Sequence, residues 1–394
     1  MRPPTPRTGE AGTAAGFVPS RRPRTSGRRG CRGHGPQPGR VRLLLCAALV
    51  GAVTTAGAAL HAQEPPARLA TFLRQRIGVD SAQLASVERG DAVVKLLDTQ
   101  NKRDVAVFGI IRADVPREFY TARLQDFPES LRTPTRPRFG IFHDPASPRD
   151  VEAVTVNHED LAGLKDCRPG DCRVKLPATE MERFRTQIDW SSADPQLQAD
   201  TYLRQRLVQY VTDYRARGDS AMVVYDDTGR VRASDAFAAL LAQSPYVYQD
   251  IPSLQQYLAG YPQGKLDGVR EVLFWADDSL PGLKPILSVT HSLVYAPPES
   301  PGVTLMAAKQ IYADHYFEAA FDLTAIVDDA RLARRPGIYL VVLRRSRFDD
   351  LPSGPVVSIR SKVVGKLRDQ LRVDLERQKL MSEQALRSSE RESH

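Results

Sequence analysis

Two adjacent stretches decide the fold: Pro285-Ile286-Leu287-Ser288-Val289-Thr290-His291-Ser292-Leu293-Val294-Tyr295, and Val303-Thr304-Leu305-Met306-Ala307-Ala308-Lys309-Gln310-Ile311-Tyr312. Both are of strand length and rich in β-branched and apolar residues. The link between them, Ala296-Pro297-Pro298-Glu299-Ser300-Pro301-Gly302, turns the chain without room for a crossover helix, so the strands run antiparallel. Val269 to Ala276, set off by Leu280-Pro281-Gly282, and Gly337 to Arg345 are further strand-length runs. The chain then closes with an amphipathic helix from about Pro355 to Leu380, with Val364, Leu367, Leu371 and Leu375 on one stripe. A terminal helix with an apolar stripe needs a surface to cover. The pattern therefore predicts an α+β fold, a curved antiparallel sheet packed on a long C-terminal helix.

Upstream, Ala67 to Ile77 and Ser81 to Arg89 read as helices, the second capped by Asp80 or Ser81 and closed by Gly90. Ala92 to Leu97 and Val105 to Ile111 form a hairpin around Asp98-Thr99-Gln100-Asn101-Lys102. A helix to about Gln125 follows, with Asp114 as its expected cap. Residues 128–265 read as a large helical insertion. It opens with a Pro- and Arg-rich loop around a strand at Phe139-Gly140-Ile141-Phe142, and Val174 to Leu176 suggests another brief strand. Helices are expected at Thr179 to Ile188, from Asp194-Pro195 to Gly218, at Ser234 to Ala242 and at Pro252 to Leu258, with a strand from Met222 to Tyr225. The expected organisation is a leader over 1–62, one α+β domain over 63–384 and a flexible tail over 385–394.

The run Val105-Ala106-Val107-Phe108-Gly109-Ile110-Ile111-Arg112-Ala113-Asp114-Val115-Pro116-Arg117-Glu118-Phe119 resembles the strand-then-helix opening of the START and Bet v 1-like helix-grip superfamily. The closing strands and terminal helix are similar in order, so the resemblance covers 100 to 150 residues in two blocks. It implies a sheet–helix cavity for an apolar or amphipathic, lipid-like small molecule. The insertion departs from the family pattern.

Charge is unevenly distributed. Residues 1–62 carry ten Arg against Glu10, leaving 45 of 55 basic and 46 of 47 acidic residues in the body. A near-neutral body has no footprint for a phosphate backbone, which argues against nucleic acid as a partner. The basic tract, the apolar Leu43 to Leu60 and small Ala62 have the parts of an export signal cleaved near Ala62. The first 42 residues are long for the basic part of such a signal, and a compact signal begins near Val41. A membrane association is expected only through an uncleaved leader. The body keeps two cysteines, in Asp166-Cys167-Arg168-Pro169-Gly170-Asp171-Cys172, and an oxidising periplasmic or extracellular setting makes Cys167 and Cys172 a disulfide across a turn. Closing so small a ring is worth about 2 kcal/mol before strain.

No catalytic, metal or cofactor motif is present. His158-Glu159-Asp160 has Ala162 where a zinc helix needs its second His, and its acids fit a helix start. The doublets Asp226-Asp227, Asp277-Asp278, Asp328-Asp329 and Asp349-Asp350 read as solvated turn carboxylates. The candidate ligand-binding residues lie in the last sheet. His291 shares its strand face with Val289, Leu293 and Tyr295, while Lys309 shares one with Leu305, Ala307 and Ile311, and Tyr312 falls on the other. A Lys among apolar neighbours implies either a snorkelling side chain or a polar spot in a cavity. In the cavity reading His291, Lys309, Tyr312 and His315 orient a ligand's polar end, with Trp275 and Tyr295 as apolar walls. Two other functions remain open: an enzyme using His291 or His315 as general base, and a structural or assembly protein of the envelope.

Overall fold

The computed structural model describes residues 66–124, 132–244, 251–280, 283–329, 336–349 and 359–392. The leader, the Pro281-Gly282 turn, the expected helix start at Pro355 and the last two residues lie outside them. The fold is α+β, built on an antiparallel sheet of eight strands with a C-terminal helix.

The N-terminal hairpin pairs β1 (Val93–Leu97) with β2 (Asp104–Ala113). A meander follows much later: β6 (Arg270–Asp278), β7 (Ile286–Tyr295), β8 (Val303–Ala313), β9 (Phe317–Asp329) and β10 (Gly337–Phe348). β10 closes against β2, and β3 (Arg138–Phe142) adds to β6, giving the order β1-β2-β10-β9-β8-β7-β6-β3. The two-residue strands β4 (Val224–Tyr225) and β5 (Val231–Arg232) form a separate ribbon. The expected strand at 174–176 does not form. The Lys175 amide donates instead to the Asp314 carbonyl at 2.8 Å, a single bond to a turn rather than a ladder.

Helices pack on both sides of β2 and β10, so both of their faces are buried. On the first face Phe108, Ile110, Tyr339 and Val341 pack under α1 (Ala67–Phe72, continuing as a π turn over Leu73–Ile77) and α2 (Ser81–Glu88). Asp80 caps α2 in a capping box with Gln83, as its sequence position predicts. The rest of that face, on β6 to β10, is covered by the insertion. Its helices are α4 (His158–Leu164), α5 (Ala178–Gln187), α6 (Pro195–Arg217), α7 (Ala233–Ala242) and α8 (Pro252–Gly260). A satellite core gathers α4, α5 and α6 around the Cys167–Cys172 disulfide, with Leu164, Met181, Phe184 and Ala199.

On the second face Val105, Val107, Ile111, Leu340 and Val342 meet α9 (Ile359–Glu392), whose Leu371 and Leu375 are buried there. The helix approaches closely because β2 offers Gly109 beneath it. A Cβ at that position would lie 2.7 Å from Leu375 Cδ1 and 2.9 Å from Leu371 Cδ2. α9 runs to Glu392, so the Ser-, Glu- and Arg-rich end expected as a flexible tail is helical there, aided by the Lys379–Glu383 pair at 2.7 Å. α3 (Arg117–Arg123) starts after Pro116, and Asp114 does not cap it. The Asp114 carboxylate pairs with Arg112, and its amide donates to Glu383 of α9 at 3.0 Å.

The seating of α9 on Gly109 generates a stability prediction. Leu375→Ala, at 1% exposure, is expected to cost about 2–5 kcal/mol in urea unfolding. Leu380→Ala, at 53% exposure on the same helix, stays within about 0.5 kcal/mol. Equal losses at the two positions would contradict this seating.

Candidate functional site

His291 and Lys309 stand directly opposite each other across β7 and β8, on the first face. Lys309 is fully buried, with no exposed surface. Its ammonium pairs with Asp219, which follows the C-terminal Gly218 of α6, and donates to the Leu258 carbonyl of α8 at 3.3 Å. The Phe237 ring of α7 lies 4.3 Å from the nitrogen and the Tyr214 ring of α6 lies 5.8 Å away. Burial pulls the Lys309 pKa below its ordinary value, against the attraction of Asp219. Gly218 makes the pairing possible, with φ at +55° and no room for a Cβ, which would stand 1.8 Å from the Tyr261 carbonyl oxygen.

His291, 1% exposed, is held at both nitrogens: Nε2 lies 3.0 Å from Glu271 Oε2 and Nδ1 lies 3.1 Å from the Tyr214 hydroxyl. An ionised carboxylate only accepts, so Nε2 carries a proton toward Glu271, while Nδ1 shares a hydrogen bond with the Tyr214 hydroxyl. Burial keeps the Tyr214 hydroxyl protonated, raising its pKa well above the usual phenol value. Burial also disfavours the Glu271 carboxylate, but hydrogen bonds from His291 and Tyr257 outweigh it and hold the pKa low. The Tyr261 ring covers the imidazole at 4.5 Å. This chain of donors has the order of a nucleophile–base–acid relay. Tyr214 and His291 are nevertheless both shut off from solvent, and only the Glu271 end of the network reaches the surface.

Tyr312 lies on the same face as Lys309, contrary to strict alternation. A bulge opposite Val289 and Thr290 leaves Ile311 as an extra residue and brings Tyr312 against Val289. Tyr312 packs beside Tyr210 and Tyr225 and lines a cavity of about 30 Å³ with Asp160, Asn157, Leu287 and Asp314, room for about one water. His315 sits in the turn after β8, with Nε2 2.8 Å from Asp160 Oδ2, and Lys284 donates to Asp160 Oδ1 at 2.9 Å. Asp160 lies in the first turn of α4, as its sequence position predicts, and is also a buried ion-pair centre. Asp227 and Asp329 are likewise buried, against Lys175 at 3.6 Å and Arg112 at 3.0 Å. Trp275 is buried with its indole N–H donating to the Asp150 carbonyl at 2.7 Å, and Tyr295 is buried beneath α8. The candidates thus do not form one site: His291 and Lys309 belong to one network, His315 and Asp160 to another with Tyr312 beside it, and Trp275 and Tyr295 are buried separately.

The more open candidate site lies on the opposite face. Between α3, α9 and the sheet is a cleft of about 250 Å³. Leu124, Met306, Ile326 and Met381 supply apolar surface, and Arg123, Arg132, Arg344 and Arg377 contribute guanidinium groups. Arg344 of β10 donates to Asp374 of α9 at 2.8 Å, and Tyr120 of α3 donates to Gln378 of α9 at 3.3 Å. These two bonds hold the cleft walls in place. The sequence carries a signal for it: Asp374, Arg377, Gln378 and Met381 form a second stripe on α9, beside the core stripe of Leu371 and Leu375.

Among the described residues no helix is long and apolar enough to cross a membrane, and no cluster of three or more His, Cys, Asp or Glu side chains is placed to hold a metal ion. No protein-family model matches the chain, and comparisons with curated proteins and with solved structures give no significant match.

The turn at Asp314 and His315 generates a pH prediction. Burial pushes the Asp314 carboxyl up to about 7, so the folded state holds this proton more tightly than the unfolded chain, where the pKa is about 3.9. The Asp314 contribution therefore falls as pH rises from about 4 to about 7. Burial opposes the charge on His315, but Asp160 and Asp314 outweigh it and raise its pKa. Its stabilisation is complete below about 6.5 and is lost as pH rises through the folded-state value. Asp160 runs the other way: despite burial, His315 and Lys284 hold its pKa low, and its contribution is lost only in acid. The thermal midpoint should fall as pH rises from about 5 to about 7, and further as His315 loses its proton. Asp314→Asn, which retains an acceptor for the Leu287 amide, should flatten that fall in calorimetry. An unchanged slope in the variant would refute the assignment.

Proposed function

We propose that this is an exported protein that holds an apolar or amphipathic, lipid-like small molecule in the cleft between the second face of the sheet and α9. The observation that carries the reading is the cleft itself. An apolar floor of Met306 and Ile326 lies between α3 and α9, with Tyr120–Gln378 joining the two helices and Arg344–Asp374 tying α9 to β10. Its volume of about 250 Å³ sits at the lower edge of ligand pockets, which start at about 300 Å³. A single acyl chain or a compact ring system suits it better than a two-chain lipid. The placement of a sheet against a long terminal helix supports a helix-grip-like architecture. In this reading the grip lies on the α9 side, and the insertion fills the side where His291 and Lys309 stand. The disulfide supports an oxidising destination, and the basic and apolar leader supports export to the periplasm or beyond. Burial of both candidate histidines weighs against a hydrolytic role for either.

A solvatochromic fluorophore with an apolar body should bind the purified protein and report a dry environment. Met306→Trp, which places a larger side chain on the cleft floor, should weaken that binding by about tenfold or more, the equivalent of about 1.4 kcal/mol. Absence of binding, or binding indifferent to Met306→Trp, would overturn the reading. N-terminal sequencing of the protein recovered from the producing cell's exterior or periplasm should start near Gln63.

A further inference from the structure

We infer that the molecule held in this cleft is a single-chain amphiphile with an anionic end, a carboxylate or phosphate, received by Arg123 and Arg377. The inference rests on the cleft being the binding site and adds the chemistry of its ligand.

The cleft lining contains four guanidinium groups and one carboxylate, Asp374. That carboxylate is already engaged at both oxygens: Arg344 donates to Oδ2 at 2.8 Å and Gln370 to Oδ1 at 2.9 Å. Arg344 is balanced in turn, with its Nε 3.5 Å from Asp322. Arg344 and Asp374 therefore form a structural brace, and neither is left over for Arg123 or Arg377. Arg132 lies over the Phe139 ring at 5.6 Å, so its guanidinium plane is positioned against the β3 edge. Arg123 projects from the end of α3 and Arg377 from the middle of α9, one from each wall, and neither meets an acid among the described residues.

The contrast with the first face gives this weight. There Lys309 has Asp219, Lys284 has Asp160 and Lys175 has Asp349. Cations gathered beside apolar surface without acids to match them favour an anion from outside. Planar guanidinium groups suit the two or three oxygens of a carboxylate or phosphate through paired N–H···O bonds. Apolar floor and basic walls together describe a tail lying on Met306 and Ile326 with its acidic end between Arg123 and Arg377.

Calorimetric titration with three probes of equal chain length tests this: dodecanoate, dodecyl phosphate and neutral monododecanoylglycerol. Charge-assisted hydrogen bonds predict that the better anionic probe binds about tenfold or more tightly than the neutral one. The double variant Arg123→Gln/Arg377→Gln should remove that preference while leaving the neutral probe's affinity unchanged. Which anionic probe binds more tightly separates a carboxylate from a phosphate ligand, and inorganic phosphate alone should not compete. Equal binding of charged and neutral probes, still weakened by Met306→Trp, would overturn the anionic inference and leave the cleft as the site. A preference that survives the double variant would overturn the assignment to these two arginines. Failure of all three probes to bind would overturn both the inference and the reading beneath it.

Discussion

A lysine ammonium with no exposed surface, at the centre of the sheet's first face, is the constraint that organises this half of the molecule. An isolated buried charge costs several kcal/mol, so Lys309 requires an acid and polar neighbours. None of them comes from the sheet itself. Asp219 follows the end of α6, the Leu258 carbonyl belongs to α8, and the Phe237 ring that faces the ammonium belongs to α7. Three separate elements of the insertion therefore converge on one atom of β8. The insertion is a part of the core, and it covers the face on which His291 and Lys309 stand.

The same logic explains how the insertion is held along its length. Tyr214 of α6 bonds to His291, Tyr210 of the same helix donates to the Ile311 carbonyl at 2.6 Å, and Gln243, just after α7, reaches Asp104 of β2 at 2.6 Å. Each bond joins a helix surface to a polar group at the sheet, where apolar packing alone would not fix orientation. Hydrophobic area supplies most of the attraction through Leu207, Val211, Phe237 and Leu240, and the polar contacts select one arrangement of it.

The α+β class, the N-terminal hairpin, β3, most of the insertion helices and the buried stripe of α9 were legible from periodicity and turn chemistry. β9 was missed although Phe317, Ala319, Phe321, Leu323, Ala325 and Val327 alternate along it. The interleaved Asp322, Thr324 and Asp328 lower its apolar content, and Asp314-His315-Tyr316 ahead of it is a tight turn with Tyr316 at φ +62°. The shared face of His291 and Lys309 was readable from alternation, but the face of Tyr312 was not, because a single bulge reverses it. Whether that face was open was not readable at all. Closure depends on Asp219, Tyr214 and Glu271, whose distances in sequence from Lys309 and His291 carry no local signal.

The two faces differ in what the sheet itself presents. On the first face β7 and β8 offer Val289, Leu293, Leu305 and Ile311, large apolar groups that demand cover and receive it. On the second face the same strands offer Thr290, Ser292, Thr304, Ala308 and Gln310, too small or too polar to draw a helix down onto them. α9 packs where β1 and β2 supply aliphatic side chains and is braced beyond that point by Arg344 and Tyr120. Met306 and Ile326 stand at the boundary between the two regimes, apolar enough to favour contact but beside strands that give a helix little to bury. A cleft at that border follows from the change in composition along the sheet. Its basic walls come from Arg123 at the end of α3 and Arg377 on the polar stripe of α9.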